Sequence, residues 1–199
     1  MVFFSSYGKG QTPSLSRKTK FSIPDKIPLL QGVQTIKILG VTFTSSLSVT
    51  LHVQSVIAAS AQTQYALRVL RKHGLCDDSL HDIFRAVAVA KLMYASNAWW
   101  GFSNANDRQK IFAFIRRCIR TGFCSPDLAD FHDLYISSDE KLFNKILTCP
   151  NHILRTLLPP PTAQNYSLRN RPHNRQLPDC ISRITDCNFT VRMLYRNMY

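Results

Sequence analysis

Three runs of apolar residues with helical periodicity, between residues 48 and 122, constrain the fold of this chain more than any other feature. The first run begins at Ser48, a residue type that caps helix N-termini, and ends just before Gly74. Glycine is the usual residue in the left-handed position that follows a helix. The apolar residues at helical spacing are Val53, Val56, Ile57, Leu67 and Leu70. The pattern predicts a helix over residues 48–73.

Two further helices follow the first with short links. The second begins at residues 77–79, where acidic and hydroxyl side chains suit a helix start, and is predicted to run to residues 97–100. The third is predicted to begin at residues 104–107 and to end at Thr121, with Gly122 in the left-handed position. Three such helices predict a small bundle over residues 47–123.

A small β element is predicted ahead of the bundle, in residues 1–46. Residues 1–4 and 21–27 are apolar enough for short strands, and residues 34–44 predict a further strand. Gly40 lies within that strand and predicts a bulge or the close approach of another group.

A helical connector is predicted over residues 124–158. A Ser-Pro-Asp signature at residues 125–127 begins a helix to about Tyr135, since Ser caps, Pro suits the first helical position and Asp suits the first turn. A capping box over residues 137–140 begins a second helix, which Pro150 ends.

The remaining region, residues 159–199, begins as an extended arm. Five prolines and several arginines lie between residues 159 and 178, with few large apolar residues, so the arm is predicted to be poorly packed. The last residues regain apolar side chains and predict a short helix or strand that docks elsewhere. The predicted fold class is mainly α, with a small β element and a Pro/Arg-rich C-terminal arm.

The charge of the chain indicates a polyanionic partner. The formal net charge is +13, and up to Cys76 the only acidic residue is Asp25. Lys and Arg release counterions from phosphates, so nucleic acid is the expected partner, with an inert basic surface as the alternative. No apolar run reaches the roughly 20 residues of a membrane span. Without that and without a signal-peptide pattern, we expect no membrane partner and an intracellular location, nuclear or cytoplasmic.

Catalytic and metal-binding residues are not predicted. Two-metal nucleotidyl transfer requires neighbouring carboxylates, whereas the acid pairs of this chain lie in first turns or on surface helices, where solvated caps account for them. These pairs are Asp77 with Asp78, Asp130 with Asp133, and Asp139 with Glu140. The cysteines lack the paired spacing of zinc modules and are expected as reduced thiols. We expect no cofactor in this chain.

Seven basic residues are the candidates for contact with phosphates. Helix-borne Lys and Arg one turn apart can follow successive phosphates. The alternative is a solvated helix face or, for cations in a last turn, interaction with the helix dipole. The candidate nucleic-acid-binding residues are Lys37, Arg68, Arg71, Lys72, Arg116, Arg117 and Arg120.

An ordered set of segments resembles the C-terminal portion of LINE-type (non-LTR) retrotransposon reverse transcriptases. In order, the segments are KILGVTF from Lys37, LRVLRK from Leu67, LMYASNAWW from Leu92, IRRCIR from Ile115, YSLRNRPH from Tyr166 and DCNF from Asp186. The resemblance covers most of the chain. It implies the last palm strands in residues 1–46 and a thumb in residues 47–123.

The resemblance also implies a function. The parent enzymes are RNA-directed DNA polymerases, in which the 3′-hydroxyl of a primer attacks an incoming deoxynucleotide with Mg²⁺ as cofactor. Their aromatic-x-Asp-Asp motif belongs upstream of a stretch like residues 1–4, and this sequence lacks it. We therefore expect an inactive, truncated part that binds the RNA/DNA template–primer, with the missing palm and fingers as its partner. Two alternatives stay open: a basic helical protein-interaction module, and a mobile-element remnant without selected function.

Overall fold

The computed structural model describes residues 32–125, 130–162, 173–179 and 182–196. The strands predicted at residues 1–4 and 21–27, most of the helix-start signature and residues 163–172 of the arm lie outside these ranges. From Val33 onward the described chain is one unit, mainly α-helical with a two-stranded sheet ahead of the helices. The predicted fold class is confirmed in these respects. In the described ranges, no helix is long and apolar enough to cross a membrane.

The chain forms a hairpin where the sequence pattern predicts a single strand over residues 34–44. β1 (Thr35–Ile38) pairs antiparallel with β2 (Val41–Thr44). Leu39 and Gly40 connect them with φ values of 46° and 86°. Positive φ at both central residues is the signature of the tight turns that suit hairpins. The single-strand prediction is wrong because glycine at this position permits the chain to turn back.

α1 (Thr50–Lys72) follows the hairpin and agrees with the predicted first helix. Gly74 has a φ of 89°, and its N–H donates to the carbonyl of Arg71 at 3.1 Å. This is the glycine-ended helix that the sequence predicts. The N-cap residue is Val49 and not Ser48, which lies one position further out.

The second helix of the bundle is continuous in three parts: α2 (Asp77–Ile83), a π-helical segment (Phe84–Val89) and α3 (Ala90–Met93). The helix ends before Ala95, whose φ is 50°, so the prediction that it runs to residues 97–100 is wrong. The break turns both indole rings into the core: Trp99 and Trp100 are each 1% exposed. The Trp99 Nε1–H also donates to the Tyr94 carbonyl at 2.9 Å. After the break come α4 (Ser96–Trp99) and a 3₁₀ turn (Trp100–Phe102).

α5 (Ala105–Arg120) agrees with the predicted third helix. A capping box begins it, since the Asp107 N–H donates to Asn104 Oδ1 at 2.7 Å and the Asn104 N–H donates to Asp107 Oδ2 at 3.4 Å. Gly122, with a φ of 70°, follows its C-terminus as predicted.

α1 and α5 run parallel. The second helix lies between them in the sequence and connects the end of α1 to the start of α5. The Thr50 hydroxyl donates to Asp107 Oδ2 at 2.9 Å near both N-termini, and Arg71 Nη1–H donates to the Thr121 carbonyl at 2.7 Å near both C-termini. Apolar side chains of all three helices form the main core. Its buried members include Val53, Leu67, Leu80, Phe84, Leu92, Trp99, Trp100, Ile111, Phe114 and Cys118.

α6 (Phe131–Thr148) is a single helix where the sequence predicts two. Phe131 and Tyr135 pack into the main core, whereas Phe143 belongs to a second cluster. One continuous helix buries both groups, so the capping box predicted over residues 137–140 lies inside it and caps nothing. The two-helix prediction is wrong for this reason.

The C-terminal segment forms α7 (Arg183–Cys187) and α8 (Phe189–Tyr195), after a 3₁₀ turn at Ile153–Leu157. The second cluster has Phe143, Met193 and Leu194 as its buried members. His173 is 8% exposed, and its Nε2 is hydrogen-bonded to the Leu194 carbonyl at 2.9 Å. The last residues are predicted to form a short helix or strand that docks elsewhere, and the structure shows two short helices there. In its described part, the arm is anchored to α8 at His173, whereas its other residues are exposed or partly exposed.

Candidate nucleic-acid interface

The parallel course of α1 and α5 brings two predicted basic clusters to the same end of the bundle. Both helices finish in basic residues and are followed by a glycine with positive φ. The guanidinium of Arg71 joins them, since it donates to the carbonyl oxygens of Thr121 and Gly122 at 2.7 and 2.5 Å. We call this region the arginine end. Its predicted members are Arg68, Arg71, Lys72, Arg116, Arg117 and Arg120.

The guanidinium of Arg71 is occupied by contacts inside the chain. Besides the two carbonyls, it pairs with Asp77 at 3.1 Å and lies 4.2 Å from the ring centroid of Phe123. Carbonyls at a helix C-terminus have no intrahelical partner, so Arg71 caps α5. A Cβ at Gly122 would lie 3.3 Å from Arg71 Nη2, and glycine leaves room for this contact. Phosphate binding by Arg71 stays a prediction, and its contacts give it a structural role.

The other five predicted members of the arginine end are exposed, and their side chains make no hydrogen bond or ion pair with a described residue. Arg116, Arg117 and Arg120 line a shallow pocket of about 430 Å³ together with Ala113 and Ile119. Cations in this state keep all their donors for a ligand, and the planar fork of Arg matches phosphate oxygens.

The buried thiol of Cys118 lies where the two clusters meet. Burial raises the pKa of Cys118 to about 12 and the charge of Cys124 adds to the rise, whereas the cations Arg117 and Arg68 oppose it. One arginine from each helix is therefore close enough to act on the same sulfur. The structure brings together residues that are about 50 positions apart in the sequence.

Lys37 lies away from the arginine end, in β1. Burial lowers the pKa of His52 and the charge of Lys37 lowers it further, which places Lys37 beside the first turns of α1. At 1.5 Å of rise per residue, His52 and Arg68 are separated along α1 by about 24 Å. A ligand that contacts both Lys37 and the arginine end has to follow α1 for most of its length.

Two further residues at the arginine end are absent from the predicted set. Arg85 is exposed, and its charge opposes the rise that burial causes in the pKa of Cys124. It belongs to the second helix, which begins at this end, since its first residue Asp77 pairs with Arg71. Tyr65 is 69% exposed and lies one turn before Arg68. The helical period of α1 alone places Tyr65 on the same face as Arg68, so the sequence contains the signal for this residue.

Several carboxylates among the described residues have partners inside the chain. Asp139 is a correction to the expectation of solvated caps, because its side chain is 1% exposed and pairs with Arg192 at 2.9 Å. Burial raises the pKa of Asp139 to about 6, against the hydrogen bond from Asn97 and the charge of Arg196. Within the described ranges, no group of three His, Cys, Asp or Glu side chains is placed to hold a metal ion.

Comparison of the chain with known protein families, with curated proteins and with solved structures finds no match.

Proposed function

We propose that this chain binds a template–primer duplex, as the thumb-side part of a reverse transcriptase of the LINE type. The observation that supports the proposal most directly is the parallel packing of α1 and α5. It gathers exposed cations from two helices at the arginine end, where their donors face solvent instead of a carboxylate.

The chemistry at the arginine end suits a phosphate backbone more than a base edge. Each Lys or Arg that contacts a phosphate releases counterions, and this supplies affinity without dependence on sequence. Arg116, Arg117 and Arg120 lie within two turns of one helix, so they present a short row of charges. A row of this kind can contact phosphates of one strand of a duplex.

Under this proposal the chain holds the duplex during DNA synthesis and supplies no catalytic residue. The carboxylates that hold Mg²⁺ in the resembling family belong to its palm, upstream of the thumb. The role assigned to this chain is to hold the duplex while that palm acts on the primer end.

The test is the triple variant Arg116→Ala, Arg117→Ala, Arg120→Ala, measured by fluorescence anisotropy with a labelled RNA–DNA duplex over a series of salt concentrations. If the three arginines each neutralise a phosphate, the slope of log K against log salt falls by about 2 to 3. A matched control removes three charges elsewhere: Lys91→Ala, Lys141→Ala, Lys145→Ala, all exposed lysines on α3 and α6.

The control separates site binding from general charge. We expect it to change the slope far less than the arginine variant does. If both triple variants bind the duplex with the slope of the wild type, or lose the same amount, the arginine end is not the interface and the proposal is wrong.

A further inference from the structure

A groove with polar and aromatic lining lies at the N-terminal ends of α1 and α5, opposite the arginine end. It consists of two adjoining cavities of about 400 and 480 Å³. Asn104 and Arg183 line both cavities, so the two lie side by side. Along α5, Asn104 and Arg120 are separated by about 24 Å, so the groove is a separate site.

The C-terminal segment completes this groove. α7 packs against the 3₁₀ turn Trp100–Phe102, and the contact is unusually close at Gly101. A Cβ there would lie 2.1 Å from the carbonyl oxygen of Cys187, a distance that side chains do not tolerate. Only glycine at residue 101 lets α7 approach so far, and this approach places Arg183 over the start of α5.

Each cavity holds one half-buried phenylalanine: Phe102 lines the first, and Phe112 lines the second. Both rings are held from behind by edge-to-face contacts, Phe102 with Phe43 at 6.1 Å and Phe112 with Trp100 at 6.3 Å between centroids. Rings fixed in this way are ready platforms, because no ordering of the side chain is needed when a flat ligand stacks on them.

The charge in the groove is positive and accessible. Arg183 is exposed, and its side chain makes no hydrogen bond or ion pair with a described residue. Arg108, in the second cavity, donates from Nε to the Ser103 hydroxyl at 3.0 Å, and its position is therefore fixed. Among the described residues, no acidic side chain lines either cavity.

We propose that this groove binds single-stranded nucleic acid, as a step of two nucleotides. One base lies against Phe102, the next against Phe112, and the phosphate between them contacts Arg183. Aromatic platforms in two separate cavities require bases that have left their stack, and single strands offer such bases whereas duplexes do not. The proposal does not rest on duplex binding at the arginine end.

The test compares the full chain with the variants Arg183→Ala and Phe102→Leu, using a labelled single-stranded oligonucleotide without self-pairing and a duplex of the same length. Lys141→Ala is the control, since it removes one exposed charge from α6. We expect each groove variant to weaken binding of the single strand by about tenfold and to leave duplex binding within about twofold of wild type. The control is expected to change neither.

Three results would overturn the proposal. The first is wild-type affinity of Arg183→Ala for the single strand, and this variant is informative by itself because the residue is exposed. The second is an equal loss of single-strand and duplex binding in Arg183→Ala, which indicates general charge. The third is a nucleoside triphosphate that displaces the single strand as well as an unlabelled strand does, since a two-nucleotide site favours the strand.

Discussion

Replacement of Arg192 by alanine is expected to destabilise the chain more than the loss of any exposed ion pair. The Arg192 Nη1–H donates to Asp139 Oδ2 at 2.9 Å, and Nη2–H donates to the Asn97 carbonyl at 3.3 Å. The Asp139 side chain is 1% exposed and the Arg192 side chain 21%. The pair joins α8 to α6 and α4 across the inside of the fold.

The magnitude follows from what the alanine variant leaves behind. Asp139 keeps the hydrogen bond from the Asn97 amide at 2.7 Å but loses its buried counter-charge. Breaking a buried pair from one side typically costs about 3 to 5 kcal/mol, because the remaining charge stays desolvated. For a chain of this size, each kcal/mol lowers the melting temperature by about 2 to 4 °C, so a fall of roughly 10 °C is expected.

Urea denaturation followed by circular dichroism measures the free energy of unfolding. Glu140→Ala is the control, because Glu140 pairs with Arg196 at 3.1 Å and the two side chains are 47% and 27% exposed. A partly exposed pair of this kind contributes at most about 1 kcal/mol. If Arg192→Ala costs no more than Glu140→Ala, the buried pair does not hold the C-terminal segment and the reasoning is refuted.

The pH dependence gives a second check with a defined sign. Burial raises the pKa of Asp139 to about 6 from 3.8, so the folded chain binds a proton on this group at a pH where the unfolded chain does not. The contribution of Asp139 to stability therefore falls as pH rises from about 4 to about 6. Without Arg192 the protonated form is favoured further. The penalty of Arg192→Ala is thus expected to be smaller at pH 5 than at pH 8.

Two other predictions concern titratable side chains. Burial raises the pKa of Cys118 to about 12, whereas hydrogen bonds with Ser79 lower the pKa of the exposed Cys76. Cys76 is therefore expected to react with a thiol reagent well before Cys118 in the folded chain. Mass mapping of the modified cysteines would contradict this if Cys118 reacted first. Burial, and then Lys37, lower the pKa of His52 below 6.5, so the contribution of His52 to stability is expected to fall as pH drops below 6.5. Acid titration of the unfolding free energy should show a smaller loss of this contribution in Lys37→Ala than in the wild type.

The sequence predicts the helices of the bundle well because their signals are local. Gly74 and Gly122 end α1 and α5, and the glycine conformations that the structure shows there are those that such ends require. The hairpin was harder, since Leu39 takes a φ of 46°, a conformation that leucine seldom adopts and that no pattern of apolar residues reveals. The break at Ala95 has the same cause.

The residues of the candidate site also differ in whether a local pattern or a distant contact determines their role. Individual basic residues were recognisable from the helical pattern, but the role of Arg71 was not, because its carbonyl partners belong to a different helix. Asp139 and Arg192 are 53 positions apart, and in sequence each has the appearance of an ordinary surface charge. Contacts between distant segments decide these assignments, and local periodicity carries no information about them.

The two proposed sites depend on the fold in different ways. The arginine end is built mainly by α1 and α5, whereas the groove needs Arg183 from the C-terminal segment, which the Asp139–Arg192 pair holds in place. Loss of that pair should therefore displace Arg183 from the groove, while the arginine end keeps its structure. Under the two proposals, the chain binds duplex at one end and an unpaired strand at the other. This is the arrangement that a junction of primer duplex and single-stranded template requires, since such a junction presents both forms of nucleic acid side by side.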